Sequence, residues 1–347
     1  MARERGLRLL LPALLALLVL AGVGVSNVLK MPGTSHGGTL PPLTGGEAAL
    51  RDRLRHHVET LAGRIGERNV WRFDALQAAA AYLAAELRSA GFRVTEHPYT
   101  AEGRRVANLE TELAGTTRPG EIVIVGAHYD SVIGSPGAND NASGCAALLE
   151  IARLLAHRRP VRTLRFVFFV NEEPPFFKSG LMGSMVYASR CRERNENVVA
   201  MYSLETIGFY SDAPGSQHYP FPLGLFYPHT GNFIGFVGDI RSRGLVRRSL
   251  HAFRSTTKFP SEGLVAPLPI TGVDWSDHWS FWHAGYPAVM VTDTALFRYF
   301  HYHTERDRPH RLDYDRMARV TAGLARVAAD AAGVVPESGT VGREEEP

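Results

Sequence analysis

Lysine is nearly missing from this chain. Of 38 basic residues only Lys30, Lys178 and Lys258 are lysine, and the arginines that replace it are scattered. With 35 acidic residues against them the formal net charge is only +3, which argues against a nucleic-acid partner. Cysteine is equally scarce. Cys145 and Cys191 allow one bridge at most and no disulfide scaffold. Neither sits in a CxxC pattern, which excludes zinc held by thiolates, so any metal here must be held by histidine and carboxylate. No internal repeat is visible. With 45% hydrophobic and 21% charged residues, wholesale disorder, a collagen-like fibre and a polytopic membrane protein are excluded as classes.

The single long apolar run lies at the amino end. Arg3, Arg5 and Arg8 precede Leu9–Val25, seventeen residues broken only by Pro12 and glycines. That is longer than the apolar core of about 7–15 residues in a secretory signal and at the lower limit for a spanning helix, about 17. The basic flank predicts that the N-terminus stays in the cytoplasm and that everything after it is exported. There is no lipobox cysteine, and Gly22–Ser26 makes a poor cleavage site, which favours an uncleaved anchor over a cleaved signal. Residues 1–30 therefore read as signal-anchor or signal peptide. The rest of the chain is expected to be periplasmic or extracellular, held at the membrane or secreted. Residues 31–46 read as a Gly/Pro/Ser/Thr linker too poor in apolar side chains to pack, 47–333 as one domain, and 334–347 as a disordered tail.

Within that domain, strands and helices alternate. Leu76, Ala79, Ala80, Leu83 and Leu87 recur at helical period and stop at Gly91. Apolar runs at Ile122–Val125, Leu164–Val170, Val198–Leu204, Phe233–Val237 and Ala288–Thr292 alternate with helical stretches such as Ala142–His157, Arg241–Phe253 and Asp315–Ala332. Continuous apolar strands alternating with helices predict a single α/β domain with a mostly parallel sheet covered on both faces. Such sheets place ligands beyond the carboxyl ends of their strands.

Those ends carry a consistent chemistry. After Val125 comes GAHYDS with His128 and Asp130, and a loop GANDNASG (137–144) with Asp140. The strand ending at Val170 leads into Asn171-Glu172-Glu173, and the one ending at Leu204 into Glu205. After Thr292 comes Tyr302-His303-Thr304-Glu305-Arg306-Asp307. Singly each reads as a solvated loop. Together, two histidines and several carboxylates without cysteine favour a two-metal site with nitrogen and oxygen ligands.

The ordered set HYDS, GANDNASG, NEE, LE and YHT resembles the zinc-dependent exopeptidases of the M28 family, over about residues 50–332. The resemblance implies a central mixed sheet of about eight strands flanked by helices, two zinc ions and a peptide substrate. It implies that His128 and Glu205 bind one zinc, Glu173 and His303 the other, and that Asp140 bridges them. Glu172 matches the family's general base for a water held between the ions. Asp130 matches a carboxylate that orients the ligand imidazole, and Tyr302 a hydroxyl facing the tetrahedral intermediate. Glu205 departs from the Asp common at that position. Three carboxylates and a bridging hydroxide would neutralise two zinc ions. The expected activity is removal of N-terminal residues from peptides. The alternatives are a glutaminyl-cyclase-like acyltransferase with one zinc, or a non-catalytic binding ectodomain, which should have lost ligands where this chain has lost none. The sequence sets no oligomeric state.

Three further stretches concern the substrate. Residues 273–287 allow two readings, an amphipathic helix that buries Trp279 and Trp282 in the core, or a stretch in which Trp275 or a neighbour walls an apolar side-chain pocket. Residues 214–230 are too long and aromatic for a plain connection and predict a lid; the PPFF stretch at 174–177 predicts a rim. The sequon at Asn141 reads as coincidental.

Overall fold

The computed structural model describes residues 30–266 and 270–334. The apolar run expected as an anchor, and the expected tail after Val334, lie outside the described residues. Among the described residues no helix is long and apolar enough to cross a membrane.

Helix α1 (Gly45–Val58) starts inside the stretch expected to be linker, because Thr44 and Glu47 form a reciprocal capping box. Helix α2 (Phe73–Ser89) follows and ends at Gly91, whose φ of 90° only glycine adopts freely. Strands β1 (Thr95–Ala101) and β2 (Arg104–Leu113) form a hairpin through Glu102-Gly103, both at positive φ, as a tight two-residue turn requires. Then come β3 (Arg118–His128), α3 (Gly144–Leu155), β4 (Arg162–Phe169), α4 (Gly183–Glu193) and β5 (Asn197–Glu205). The chain closes with β6 (Ile234–Gly238), α5 (Arg243–Thr256), β7 (Ser261–Val265), α6 (His278–His283), β8 (Ala288–Thr292) and α7 (Tyr314–Ala332).

The eight strands form one sheet in the order β1-β2-β4-β3-β5-β8-β6-β7. The expectation of a mostly parallel sheet needs correction. The central ladders β4/β3, β3/β5 and β5/β8 are parallel, as is β6/β7, but β1/β2, β2/β4 and β6/β8 run antiparallel. The sheet is mixed. An apolar run reports burial on both faces and carries no information on strand direction.

Side-chain alternation sorts the strands into two cores. Val123, Val125, Phe166 and Phe168 face α1, α2, α3, α5 and α7 on one side. Ile122, Ile124, Val167 and Phe169 face α4 and α6 on the other. Cys145 and Cys191 are free thiols and belong to different cores, so they do not pair.

The expected linker also differs from its reading. Met31 and Leu40 pack against the larger core, and the backbone around them is held by three arginines of α5 and α7. Arg254 donates to the Pro32 carbonyl (3.0 Å), Arg247 to that of Lys30 and Arg319 to that of Pro41. Ser35 accepts from the Ser261 amide at 2.9 Å. The segment docks through its backbone acceptors, which composition does not reveal.

Candidate metal centre

All the elements that bear candidate ligands end at one place. His128 is the last residue of β3, Glu205 the last of β5, and Glu172 and Glu173 lie just beyond β4. Asp140 sits in the loop that opens α3, and His303 in the segment after β8. These are carboxyl ends of neighbouring strands, where α/β sheets bind ligands.

Asp140 stands in the middle. Its Oδ1 lies 3.1 Å from His128 Nε2 and its Oδ2 2.9 Å from His303 Nε2. Glu205 Oε2 is 3.4 Å from His128 Nε2, and Glu173 Oε2 is 3.2 Å from His303 Nε2. Two potential ligand triads result, His128/Asp140/Glu205 and Asp140/Glu173/His303, each with its ligand atoms within 4.8 Å of one another and both sharing Asp140. His128, Glu172 and Glu173 form a third such group, with Glu172 Oε2 3.9 Å from His128 Nε2.

These atoms lack ordinary partners. His128 Nδ1 and Nε2, Asp140 Oδ1 and His303 Nε2 are buried without a hydrogen bond, although each faces an oppositely polarised group. Buried polar atoms are rarely left so. Lone pairs converging from several sides are what a cation needs, and the donor set, imidazole plus carboxylate, suits zinc. The residues present therefore fit the metal.

Electrostatics point the same way. Burial and the Asp140 charge push Glu173 up to about 7, and burial with the Asp140 charge also raises Glu205. Burial drives Glu172 well above the usual carboxylate range, with Glu205 and Glu173 adding to the effect. For Asp140 burial acts upward, but the two histidines outweigh it and hold the carboxyl well below its ordinary value. So much buried negative charge in one pocket is costly unless a cation offsets it.

Each side chain is positioned by groups distant in sequence. Asp130 accepts from the amides of Glu172 (Oδ1, 3.1 Å) and Glu173 (Oδ2, 3.2 Å), and its Oδ1 lies 3.5 Å from His128 Nδ1. It therefore fixes the backbone of the acidic pair as well as facing the imidazole. The Val132 amide donates to Glu173 Oε1 at 3.1 Å. Asp307 receives the amides of Asn139 (2.9 Å) and Asp140 (3.1 Å) and the Tyr299 hydroxyl, which holds the Asp140 loop in place. The fully buried Asn141 accepts from Gly144 and Thr206 and donates to the Leu204 carbonyl, a structural role that leaves the sequon no accessible amide. Gly137 is required here: at φ 60° a side chain would put its Cβ 2.2 Å from the Asp140 carbonyl oxygen.

Beneath the loop lies Arg68, completely buried. Its guanidinium donates to the carbonyls of Tyr129 (2.6 Å), Pro136 (2.6 Å), Gly137 (3.0 Å) and Gly66 (3.2 Å). It staples the 129–137 loop between His128 and Asp140. A lone arginine in the sequence gives no signal for this. Asp307 was visible in the sequence beside His303, but nothing there says that it turns back onto Asn139.

Tyr302 borders the cluster, its ring stacked on that of His303 at 3.8 Å. Burial and the surrounding carboxylates raise its phenol well above the ordinary value, so it stays a neutral hydroxyl. Beside Tyr302 and Glu205 opens an apolar cavity of about 800 Å³, including space open to solvent. Tyr219, Leu223 and Tyr227 from the 214–230 excursion, together with Leu264, Trp275 and Phe297, form its walls. Trp275 thus lies where the sequence suggested. Trp282 is core, donating to the Ala288 carbonyl at 2.9 Å. Of the expected rim, Phe176 is buried and stacks on Trp71 at 5.8 Å.

Comparison with known proteins follows the same line. The profile of peptidase family M28 matches residues 108–328. An uncharacterized protein of Escherichia coli, YfbL, is 38% identical over 80% of this chain and 87% of its own length. A leucine aminopeptidase 1 of Ajellomyces capsulatus is 26% identical, covering 74% of this chain and 63% of that protein. Among solved structures, BSAP, a zinc aminopeptidase from Bacillus subtilis, superposes with a TM-score of 0.63 at 16% identity, over 81% of this chain and 95% of that one. A glutaminyl cyclase from Fimbriiglobus ruber gives 0.60 at 18% identity, over 86% and 99%. At such identities the likeness is one of fold.

Proposed function

The chain belongs to peptidase family M28, and on that footing we propose that it is an exported zinc aminopeptidase with two metal ions in one site. The observation that carries this reading is the pair of ligand triads joined by Asp140. His128 and Glu205 would hold one ion, Glu173 and His303 the other, and Asp140 one oxygen toward each. Bound zinc would polarise the scissile carbonyl and make water acidic enough to attack near neutral pH.

The remaining roles fall to side chains. Glu172, raised by burial, is suited to take a proton from the attacking water and return it to the departing amine. Asp130 holds the Glu172 amide and so aims the base. The neutral Tyr302 hydroxyl can donate to the oxygen that gains charge at the substrate carbonyl. The cavity beside Tyr302 suits a bulky apolar first residue.

Export is supported by Arg3, Arg5 and Arg8 before the apolar run, which also supports attachment to the membrane when that run is retained. A second reading, a glutaminyl cyclase with one zinc, is favoured by the similar folds of such enzymes, and a single triad would suffice for it. One experiment separates the two. The zinc-loaded chain should contain two zinc ions and hydrolyse leucyl and phenylalanyl arylamides. One zinc per chain with cyclisation of an N-terminal glutaminyl peptide would favour the cyclase instead.

A further inference from the structure

Among the described residues the sheet ends at β7, which pairs there only with β6. Two segments meet on its free edge. From the amino end, Ser35 accepts the Ser261 amide, and Met31 lies so close to Gly263 that an added Cβ would stand 2.9 Å from its Cγ. From the 214–230 excursion, the Tyr227 hydroxyl donates to the Gly263 carbonyl at 2.8 Å. The chain thus departs toward its apolar run, Leu9–Val25, beside the same residue that anchors the excursion.

The excursion is apolar on its outside as well as its inside. Phe221 is 89% exposed, Leu225 72% and Phe226 51%, within six residues. Water-facing aromatic and aliphatic side chains at that density mark an interaction surface. On the other side of β7, α5 carries Arg243, Arg247, Arg248 and Arg254 and no acidic residue, and Arg241 and Lys258 flank it. Its acidic neighbours include Asp239, which accepts the Ser242 amide, Glu262, 4.0 Å from Arg254, and Asp330 of α7, which with Arg248 acts on Tyr202. An exposed apolar loop, a basic helix and the way out to an apolar run therefore share one end of the molecule.

We propose that this end docks on an anionic lipid bilayer, with Phe221, Leu225 and Phe226 entering the acyl boundary and the outer arginines of α5 facing the headgroups. Apolar insertion beside basic side chains is the general chemistry of interfacial binding. The mouth of the cavity, walled by Tyr219, Leu223 and Tyr227, would then open near the lipid surface. The docking surface stands whether or not the peptidase reading holds.

The test reads orientation on the full chain. Cys145 and Cys191 are buried, so a fluorophore can be placed selectively on Leu225→Cys, or on Ser89→Cys as control. Ser89 is exposed where α2 leads to β1, at the opposite edge of the sheet. The chain is mixed with vesicles of equal parts phosphatidylcholine and phosphatidylglycerol. The label at 225 should be quenched by brominated acyl chains and shielded from iodide, while the label at 89 stays open to iodide. A label at 225 that remains open to iodide in vesicle-bound protein overturns the proposal, as does equal quenching at both positions or failure to bind vesicles. Replacing Arg241, Arg248 and Lys258 by Glu should reduce shielding at 225, each lost charge being worth about fivefold in partition. Shielding unchanged in that variant would remove the anionic lipid from the account.

Discussion

The Ser276 hydroxyl donates a 2.7 Å hydrogen bond to Glu205 Oε2. Ser203 Oγ lies 2.8 Å from the same hydroxyl and, since the Ser276 proton is engaged, must be the donor in that pair. Glu205 is thereby aimed at His128 by a relay reaching across from the segment before α6. Side chains that orient a metal ligand typically contribute 10–100-fold to affinity. Ser276→Ala should weaken zinc binding by about that factor in a chelator competition, with the circular dichroism spectrum unchanged. Unaltered affinity would mean that Glu205 needs no such support.

Asp140→Ala should be the most damaging single change to metal content, because it removes an oxygen from both triads. Metal analysis after dialysis should find both ions lost. Retention of both would show that Asp140 does not bridge.

Glu172 and Glu173 are neighbours with opposite expected behaviour. Glu172→Gln should keep zinc but lower kcat by about 10²–10⁴, the usual worth of general-base assistance, with little change in KM. Glu173→Gln should lose zinc along with activity. Zinc loss in the first and retention in the second would reverse their roles.

Much of the fold and of the cluster was legible in the sequence. Strand ends carrying His128, Glu172-Glu173 and Glu205 are short-range patterns, each apolar run followed at once by its polar residues. What holds them was not legible, because it acts over long separations. Asp307 reaches back to Asn139, Arg68 crosses to the 129–137 loop, and Arg254 and Arg319 capture carbonyls more than two hundred residues away. Strand direction was equally hidden: β6 and β8 form an antiparallel ladder although Phe233–Val237 and Ala288–Thr292 read as apolar runs like those of the parallel strands. Residue type reports what a site can do, whereas position in the fold reports what keeps it there.

Asp293, which is not one of the candidate ligands, offers a pH test. Burial pushes its carboxyl up to about 7, and its Oδ1 has no hydrogen-bond partner. The folded chain therefore holds this proton where the unfolded chain, near 3.8, releases it. Stability from the protonated form is complete below the unfolded value and is lost progressively until the pH passes the folded one. Asp293→Asn does not titrate and keeps an acceptor for Asn139 and Phe209. Its melting temperature relative to the parent, measured on metal-free chains, should rise from pH 5 to pH 7 and level off above. A constant difference would mean that Asp293 is ionised throughout.

The free edge of β7 has a bearing on how this protein behaves in a tube. Unpaired amide and carbonyl groups along a terminal strand invite another strand to add on, and proteins commonly mask them. Here the mask comes from Ser35, Arg254 and Tyr227, and the first of these belongs to a stretch that a boundary drawn at α1 would cut away. A recombinant fragment begun at Gly45 should leave the Ser261 amide bare and self-associate strand to strand, whereas one begun at Lys30 should run as a smaller species on gel filtration. If so, the amino-terminal strap, with little hydrophobic content of its own, acts as a guard against strand addition at the edge where Ser35 accepts the Ser261 amide.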